Sequence, residues 1–219
     1  MIKVKNLSKS FGTSKAVQDV TLTVVCPGTV VVVGSSGSGK TTLLRLIAGL
    51  EMPDRGEIFI NGTLVSKAGY TLEPHKRNIG FVFQTPALWP HMTVSQNILF
   101  GLYHLSRSEA RRRLNVLLDA AELNGLGHRY PHQLSGGEAR RVALIRTLAP
   151  RPCYLLMDEP LVNIDPLLKN KMLTLIKNEL LMKEACLVYV THDREEARQI
   201  STNMLEMENG ILQTCRGDE

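Results

Sequence analysis

Four short apolar runs in this chain each stop at a chemically loaded segment, and that recurrence limits the folds open to it more than any other feature. Val30, Val31, Val32 and Val33 run straight into Gly34. Ile79, Phe81 and Phe83 alternate as in a half-buried strand and stop at Gln84. Tyr154, Leu155, Leu156 and Met157 stop at Asp158 and Glu159, and Leu187, Val188, Tyr189 and Val190 stop at Thr191 and His192. Each run has the length of a strand. Long helical segments separate them, so the strands are expected to be largely parallel. An open parallel sheet gathers ligands at the carboxyl ends of its strands, which would bring the loaded residues to one edge.

Elsewhere the pattern changes. Ile58, Phe59 and Ile60 lead to Asn61-Gly62, the favoured dipeptide of a two-residue hairpin, and predict an antiparallel sheet near the N-terminus. Between residues 86 and 150 helical signals replace strand signals: Ser106 followed by Glu109 is a capping box, after which Ala110, Leu114, Leu117 and Ala121 recur at helical spacing. Arg111, Arg112 and Arg113 fall mostly off that stripe and read as a solvated face. Asn209-Gly210 predicts a second hairpin.

With 219 residues, 43% hydrophobic and 21% charged, the chain has the make-up of a folded domain with a sizeable core. Its net charge of +5 is scattered, which gives no reason to expect nucleic acid as a partner. No apolar run approaches the ~18 residues that span a bilayer, and the N-terminus lacks the apolar stretch of an export signal. A soluble, cytoplasmic chain is expected. Its four cysteines form no CxxC pair, and Cys153 and Cys186, beside apolar runs, read as small buried hydrophobes.

Gly34-Ser35-Ser36-Gly37-Ser38-Gly39-Lys40-Thr41 matches the phosphate loop G-x-x-x-x-G-K-[ST], and the context fits: a strand signal precedes it and a helical run follows until Gly49. Glycines let backbone N–H groups curl around phosphate oxygens, and the helix N-terminus adds partial positive charge. Lys40 would reach the β and γ phosphates, the Thr41 hydroxyl would stand at Mg²⁺, and Thr42 would join the loop in binding the nucleotide. Asp158 and Glu159 supply two further roles at adjacent positions, Asp158 holding the metal and Glu159 activating a water as general base. No guanine-reading N-K-x-D motif is found, so adenine is the expected base.

Leu134-Ser135-Gly136-Gly137-Glu138 discriminates further. Ser135 and Glu138 form a capping box, but two consecutive glycines weaken a helix start while exposing its N–H groups to an anion. Here the sequence resembles the ATP-binding cassette family, whose LSGGQ signature stands as LSGGE. The resemblance covers nearly the whole chain and implies a phosphate-loop NTPase fold: an α/β, RecA-like parallel-sheet core with an N-terminal antiparallel β subdomain and a helical subdomain. Residues 1–219 would form one ATPase domain, with the core at 1–85 and 151–219 and the helical part at about 86–150.

By the same resemblance Phe11 stacks on adenine, Gln84 is the Q-loop glutamine and a metal contact, Asp165 belongs to the D-loop, and His192 is the switch histidine. Ser135, Gly136 and Gly137 would contact a nucleotide held by a second subunit. The stretch from Phe83 through Trp89, Pro90 and His91 to Val94, then Asn97-Ile98 and Phe100-Gly101-Leu102, looks like the ATP-binding subunits of bacterial importers. An ATP- and Mg²⁺-dependent ATPase is implied, working as a head-to-tail homodimer on integral-membrane permease subunits and, through them, with a substrate-binding protein. An exporter or lipoprotein-releasing ATPase, and a soluble ATP-gated binding protein without transport, are the alternatives. Two departures stand out: Val162-Asn163-Ile164-Asp165 where the family commonly has SALD, and the charge of Glu138.

Overall fold

The computed structural model describes residues 1–215. In chain order the first elements are β1 (Ile2–Phe11), β2 (Ser14–Val24), β3 (Gly28–Val33), α1 (Lys40–Ala48), β4 (Arg55–Ile60), β5 (Thr63–Lys67), β6 (Tyr70–Thr71) and β7 (Ile79–Val82). The helices α2 (Val94–Leu99), α3 (Arg107–Ala120) and α4 (Gly136–Leu148) come next, then β8 (Tyr154–Asp158) and α5 (Pro166–Lys183). The last are β9 (Cys186–Thr191), α6 (Arg194–Ile200), β10 (Met204–Glu208) and β11 (Ile211–Thr214). They group into two compact units, one made of Met1–Phe81, Cys153–Glu159 and the chain from Glu184, the other of Val82–Pro152 and Pro160–Lys183.

The first unit holds two sheets. One is antiparallel in the order β2-β1-β4-β5-β6, and its β4–β5 hairpin turns at Asn61 (φ 50) and Gly62 (φ 80), the left-handed pair that the Asn-Gly dipeptide predicts. The other has the order β11-β10-β3-β9-β8-β7, with β10, β3, β9 and β8 pairing in parallel and β11 folded back antiparallel on β10. Parallel strands are buried on both faces, which is why the runs read as continuous apolar stretches. Helix α1 packs Leu43, Leu44, Leu46 and Ile47, all fully buried, into one core with Ile2, Val4 and Ile58 of the antiparallel sheet and Val30, Val32, Val188 and Val190 of the parallel one.

The far end of α1 is tied down by a buried cation. The Arg77 side chain donates to the carbonyls of Ile47 (2.8 Å), Val65 (3.0 Å) and Leu72 (2.9 Å) and to the hydroxyls of Ser66 and Thr71 (2.7 Å each). A positive group suits the carbonyl end of a helix. Burial pushes this guanidinium down to about 10, which leaves it charged at neutral pH.

In the second unit α3 buries Ala110, Leu114 and Leu117 as its spacing predicts, and Arg111 and Arg112 are exposed. Arg113 departs from the solvated face expected of it. It grips both carboxylate oxygens of Glu179 on α5 at 2.6 Å and donates to the carbonyl of Leu148 at the end of α4. Lying beside Leu114 on the edge of the apolar stripe, its stem is drawn inward and its head finds a bidentate partner.

The cysteines follow their sequence reading in part: Cys186 is buried as expected, Cys153 is not. Cys153 is exposed, and Cys186, fully buried, is joined to Cys26 in a disulfide. The two are 160 residues apart in sequence; strand pairing sets Cys186 opposite Gly28 and so beside the end of β2.

Replacing Arg77 by Ala leaves buried carbonyls without donors, so Arg77→Ala should cost about 3 kcal/mol in a chemical denaturation curve, while Arg77→Lys recovers part of it. An unchanged midpoint for Arg77→Ala would show that water satisfies the helix end instead.

Candidate active site

Strand register sets the site. Val33 pairs with Thr191 and Asp158 with Val190, so β3, β9 and β8 end level with one another. The residues that follow, Gly34, His192 and Glu159, therefore emerge on one edge, as three of the four apolar runs predict; the fourth run leads into the second unit at Gln84.

The loop from Gly34 to Thr41 closes tightly. A Cβ on Gly34 (φ +155) would lie 2.3 Å from the Met207 carbonyl oxygen, and one on Gly39 (φ +107) would lie 2.0 Å from that of Ala16, so neither position admits a side chain. Ser35, Ser36 and Gly37 are exposed at the rim, whereas Ser38 is buried. Lys40 opens α1, and its Nζ donates to the carbonyls of Gly34 and Ser35 at 2.7 Å each, bridging the loop from inside. Burial draws this ammonium's pKa down, against the opposing pull of Glu159 and Asp158. Thr42 follows Thr41 on the first turn of α1.

The Thr41 hydroxyl donates to Asp158 Oδ1 at 3.2 Å. Asp158 is 2% exposed, and burial pushes its carboxyl up despite the hydroxyl and the nearby Lys40. Glu159 adopts a left-handed backbone (φ 45) that an ordinary residue pays for with about 1–2 kcal/mol, held by its own N–H on the Val190 carbonyl at 2.9 Å. That turn aims its side chain at His192, whose Nδ1 is 3.2 Å from Glu159 Oε2. Lys40, Thr41, Asp158, Glu159 and His192 are thus gathered within the first unit. Phe11, also in that unit, ends β1 half exposed, with the Lys9 ammonium 5.3 Å from its ring centre.

Gln84, Ser135, Gly136, Gly137 and Asp165 belong to the second unit. Gln84 is exposed. Ser135 caps α4 by accepting from the Glu138 N–H (3.2 Å), and Glu138 returns the bond by accepting from the Ser135 N–H (2.7 Å), the expected capping box. Those bonds from Ser135 hold the Glu138 carboxyl below its usual range, so it is ionised at neutral pH. Asp165 caps α5, accepting from the N–H groups of Leu167 (3.0 Å) and Leu168 (3.3 Å).

Two glycines at the start of α4 have no steric cause in this chain. A Cβ on Gly136 meets nothing within 4 Å, and one on Gly137 meets only Arg141 Nη1 at 3.8 Å. The space above them is open to something from outside.

Two arginines near this segment escaped the sequence reading. Arg140 donates to the Val162 carbonyl at 2.9 Å, tying α4 to the segment before Asp165, and Arg141 holds a buried Nε without a hydrogen-bond partner. Arg141 lies one helical turn after Gly137, and that spacing was the available signal.

Asp158 predicts its own stability effect. A carboxyl raised by folding binds protons more tightly in the native state, so stability falls as pH rises from the ordinary 3.8 through the raised value, and the loss persists at pH 7. Asp158→Asn keeps an acceptor for Thr41 and should raise the melting midpoint of the nucleotide-free chain at pH 7, with the gain vanishing below about pH 4. A midpoint lowered at pH 7 would contradict this.

Comparison with known proteins agrees with the geometry. Residues 17–162 match the model of the family described as ABC transporter. The chain is 45% identical over 214 residues to the sulfate/thiosulfate import ATP-binding protein CysA of Thermosynechococcus vestitus, covering 97% of this chain and 62% of that protein. It is 41% identical to the putrescine transport ATP-binding protein PotG of Escherichia coli, covering 96% and 55%. The chain thus spans about 60% of the length of these relatives. A solved dimer of the ATP-binding cassette MJ0796 in a post-hydrolysis state bound to ADP and Pi superposes with a TM-score of 0.85 at 32% identity, over 99% of this chain and 100% of that one. By sequence match, by the α/β fold with its antiparallel N-terminal sheet and by the loop at its strand edge, the chain belongs to the ABC transporter family.

Proposed function

We propose that this chain is the ATP-hydrolysing subunit of a membrane importer, working as a single ATPase domain and converting ATP and water to ADP and phosphate. The observation that carries the reading is the level ending of β3, β8 and β9, which places a phosphate loop, an acidic pair and a histidine on one edge. The import assignment is supported by the relatives, which are named for sulfate/thiosulfate import and putrescine transport.

The loop N–H groups and the start of α1 bind the phosphates, with Lys40 transferring its contacts from the loop carbonyls to phosphate oxygens. Thr41 and Asp158 offer two hard oxygens 3.2 Å apart, a donor set that suits Mg²⁺, which takes few protein ligands alongside phosphate and water. Among the described residues no cluster of three His, Cys, Asp or Glu competes for a metal. Thr41, Asp158 and Gln84 would hold Mg²⁺, which when bound offsets charge on the β and γ phosphates.

Glu159, fixed by its backbone turn, takes the proton of the attacking water. His192 steadies that carboxylate on one side and presents its other ring nitrogen toward the γ-phosphate. The bond between the γ-phosphorus and the bridging oxygen breaks, leaving ADP. Phe11 stacks on the adenine.

The open glycines of α4 support a head-to-tail homodimer in which Ser135, Gly136 and Gly137 of one subunit, with the segment around Asp165, close on the nucleotide of the other. Trp89 supports the permease contact: its half-buried indole packs against Phe100 in a tilted arrangement (4.5 Å between centroids), and the Arg146 guanidinium lies over its ring (4.8 Å). Asn97 braces the Trp89 backbone from both sides, and Phe100 is exposed next to it. A permease helix lying on this platform would bury an aromatic anchor. A substrate-binding protein would act through that permease.

We further propose a position on the cytoplasmic face of the membrane, reached through the permease, a reading supported by the relatives named for import and transport; no helix among the described residues is long and apolar enough to cross.

Glu159→Gln should bind ATP like the parent and turn it over ~10²–10⁴ times more slowly; hydrolysis at the parental rate would remove Glu159 as base. The same variant with ATP should shift to a dimer in light scattering. Adding Gly137→Asp, which the open space accommodates without disturbing the fold, should abolish the shift by setting a carboxylate against phosphate. A dimer that forms regardless of ATP and of Gly137 would overturn the sandwich.

A further inference from the structure

The back of the phosphate loop rests on a turn that is remote in sequence. Asn209 (φ 49) and Gly210 (φ 82) form the hairpin between β10 and β11. The Gly210 N–H donates to the Ser38 carbonyl at 2.9 Å. Gln18 on β2 grips the same turn twice, its N–H on the Gly210 carbonyl and its Nε2 on the Asn209 carbonyl, each at 2.7 Å. β2, the hairpin and the loop are therefore linked in series by three hydrogen bonds.

The consequence lies in the peptide plane between Ser38 and Gly39. Among the described residues the cis peptide is Cys26-Pro27, so this one is trans, and its C=O and N–H point to opposite sides. Fixing the Ser38 oxygen on Gly210 turns the Gly39 N–H the other way. Gly39 is the N-cap of α1, whose first N–H groups have no partner within the helix and face an incoming anion. The glycine that reaches φ +107 also permits the flipped peptide, which would offer a carbonyl oxygen to phosphate. An extra bond is needed to select between the two.

We propose that Gln18 and Gly210 are positioning residues for phosphate: the 209–210 turn, steadied by Gln18, holds the Gly39 N–H toward the nucleotide. This rests on the loop being the ATP site, as proposed above. Gly210 suits the task because a Cβ there would lie 3.0 Å from the Lys15 carbonyl oxygen and 3.1 Å from that of Ala16, pushing the turn away from β2.

Two changes to the intact chain test it. Gln18→Ala removes the side-chain bond to Asn209, and a semisynthetic chain with glycolic acid at 210 removes the one N–H that meets Ser38. Calorimetric titration with ADP and with adenosine separates phosphate positioning from base binding. Both changes should weaken ADP by about fivefold, the worth of one hydrogen bond, and leave adenosine affinity unchanged. The Gly39 amide proton resonance should move less far downfield on ADP binding than in the parent. ADP affinity unchanged in both, or adenosine weakened equally with ADP, overturns the proposal. A parent chain that binds no ADP refutes the ATP-site reading itself, and this inference with it, before any variant is made.

Discussion

The parallel pairing of β3, β9 and β8 is the constraint on which everything else hangs. Because Val33 stands opposite Thr191 and Val190 opposite Asp158, three chain segments far apart in sequence leave the sheet at one level. A slip of one residue would turn every side chain of a strand to the other face. Here both faces are buried, so burial alone gives a weak register signal. The loop at Gly34, the bond from the Glu159 N–H to the Val190 carbonyl and the Cys26–Cys186 contact each add a point that only one register satisfies.

At that edge the chain works against its own stability. An acid whose carboxyl is pushed up by burial, a lysine whose ammonium is pushed down, and a glutamate in a left-handed backbone all raise the energy of the empty protein. The surroundings offset this: α1 is sunk between two sheets, and Arg77 satisfies carbonyls near its far end with a buried positive charge. A rigid helix held at its C-terminal end keeps its N-terminus in place, which is what the proposed phosphate site asks of it. Strain at the edge and excess packing behind it belong to one arrangement.

Local pattern carried much of this in the sequence. The strand runs, both Asn-Gly hairpins, the capping boxes at Ser106 and Ser135 and the apolar stripe of α3 are short-range features whose physics is complete within a few residues, and they stand as expected. The gathering of Lys40, Thr41, Asp158, Glu159 and His192 in one unit was legible because Asp158 ends a strand, Glu159 and His192 follow strand ends, and Lys40 and Thr41 open the helix after the loop that leaves β3. What stayed hidden depends on partners distant in sequence. Arg113 looked like one of three solvated arginines until Glu179 is brought to it, and Cys26 and Cys186 gave no sign of meeting across 160 residues. The bond from Gly210 to Ser38 has no sequence signature, since a backbone N–H is the same in every residue but proline.

The start of α4 shows how a local rule and a distant one can occupy the same residues. Capping explains Ser135 and Glu138 fully, and a glutamine at 138 would close the same box with its amide oxygen. The carboxylate's charge is therefore surplus to the fold, and the bonds from Ser135 keep it ionised. Glycines 136 and 137 are surplus too, for neither meets a neighbour that would exclude a side chain. A helix that gives up propensity at two positions with no steric gain within the chain fits the proposed contact with a ligand outside it. In the proposed sandwich that ligand is a γ-phosphate, and the Glu138 charge then sets a like charge beside it, so closure of the dimer demands more of ATP than a glutamine at the same position would.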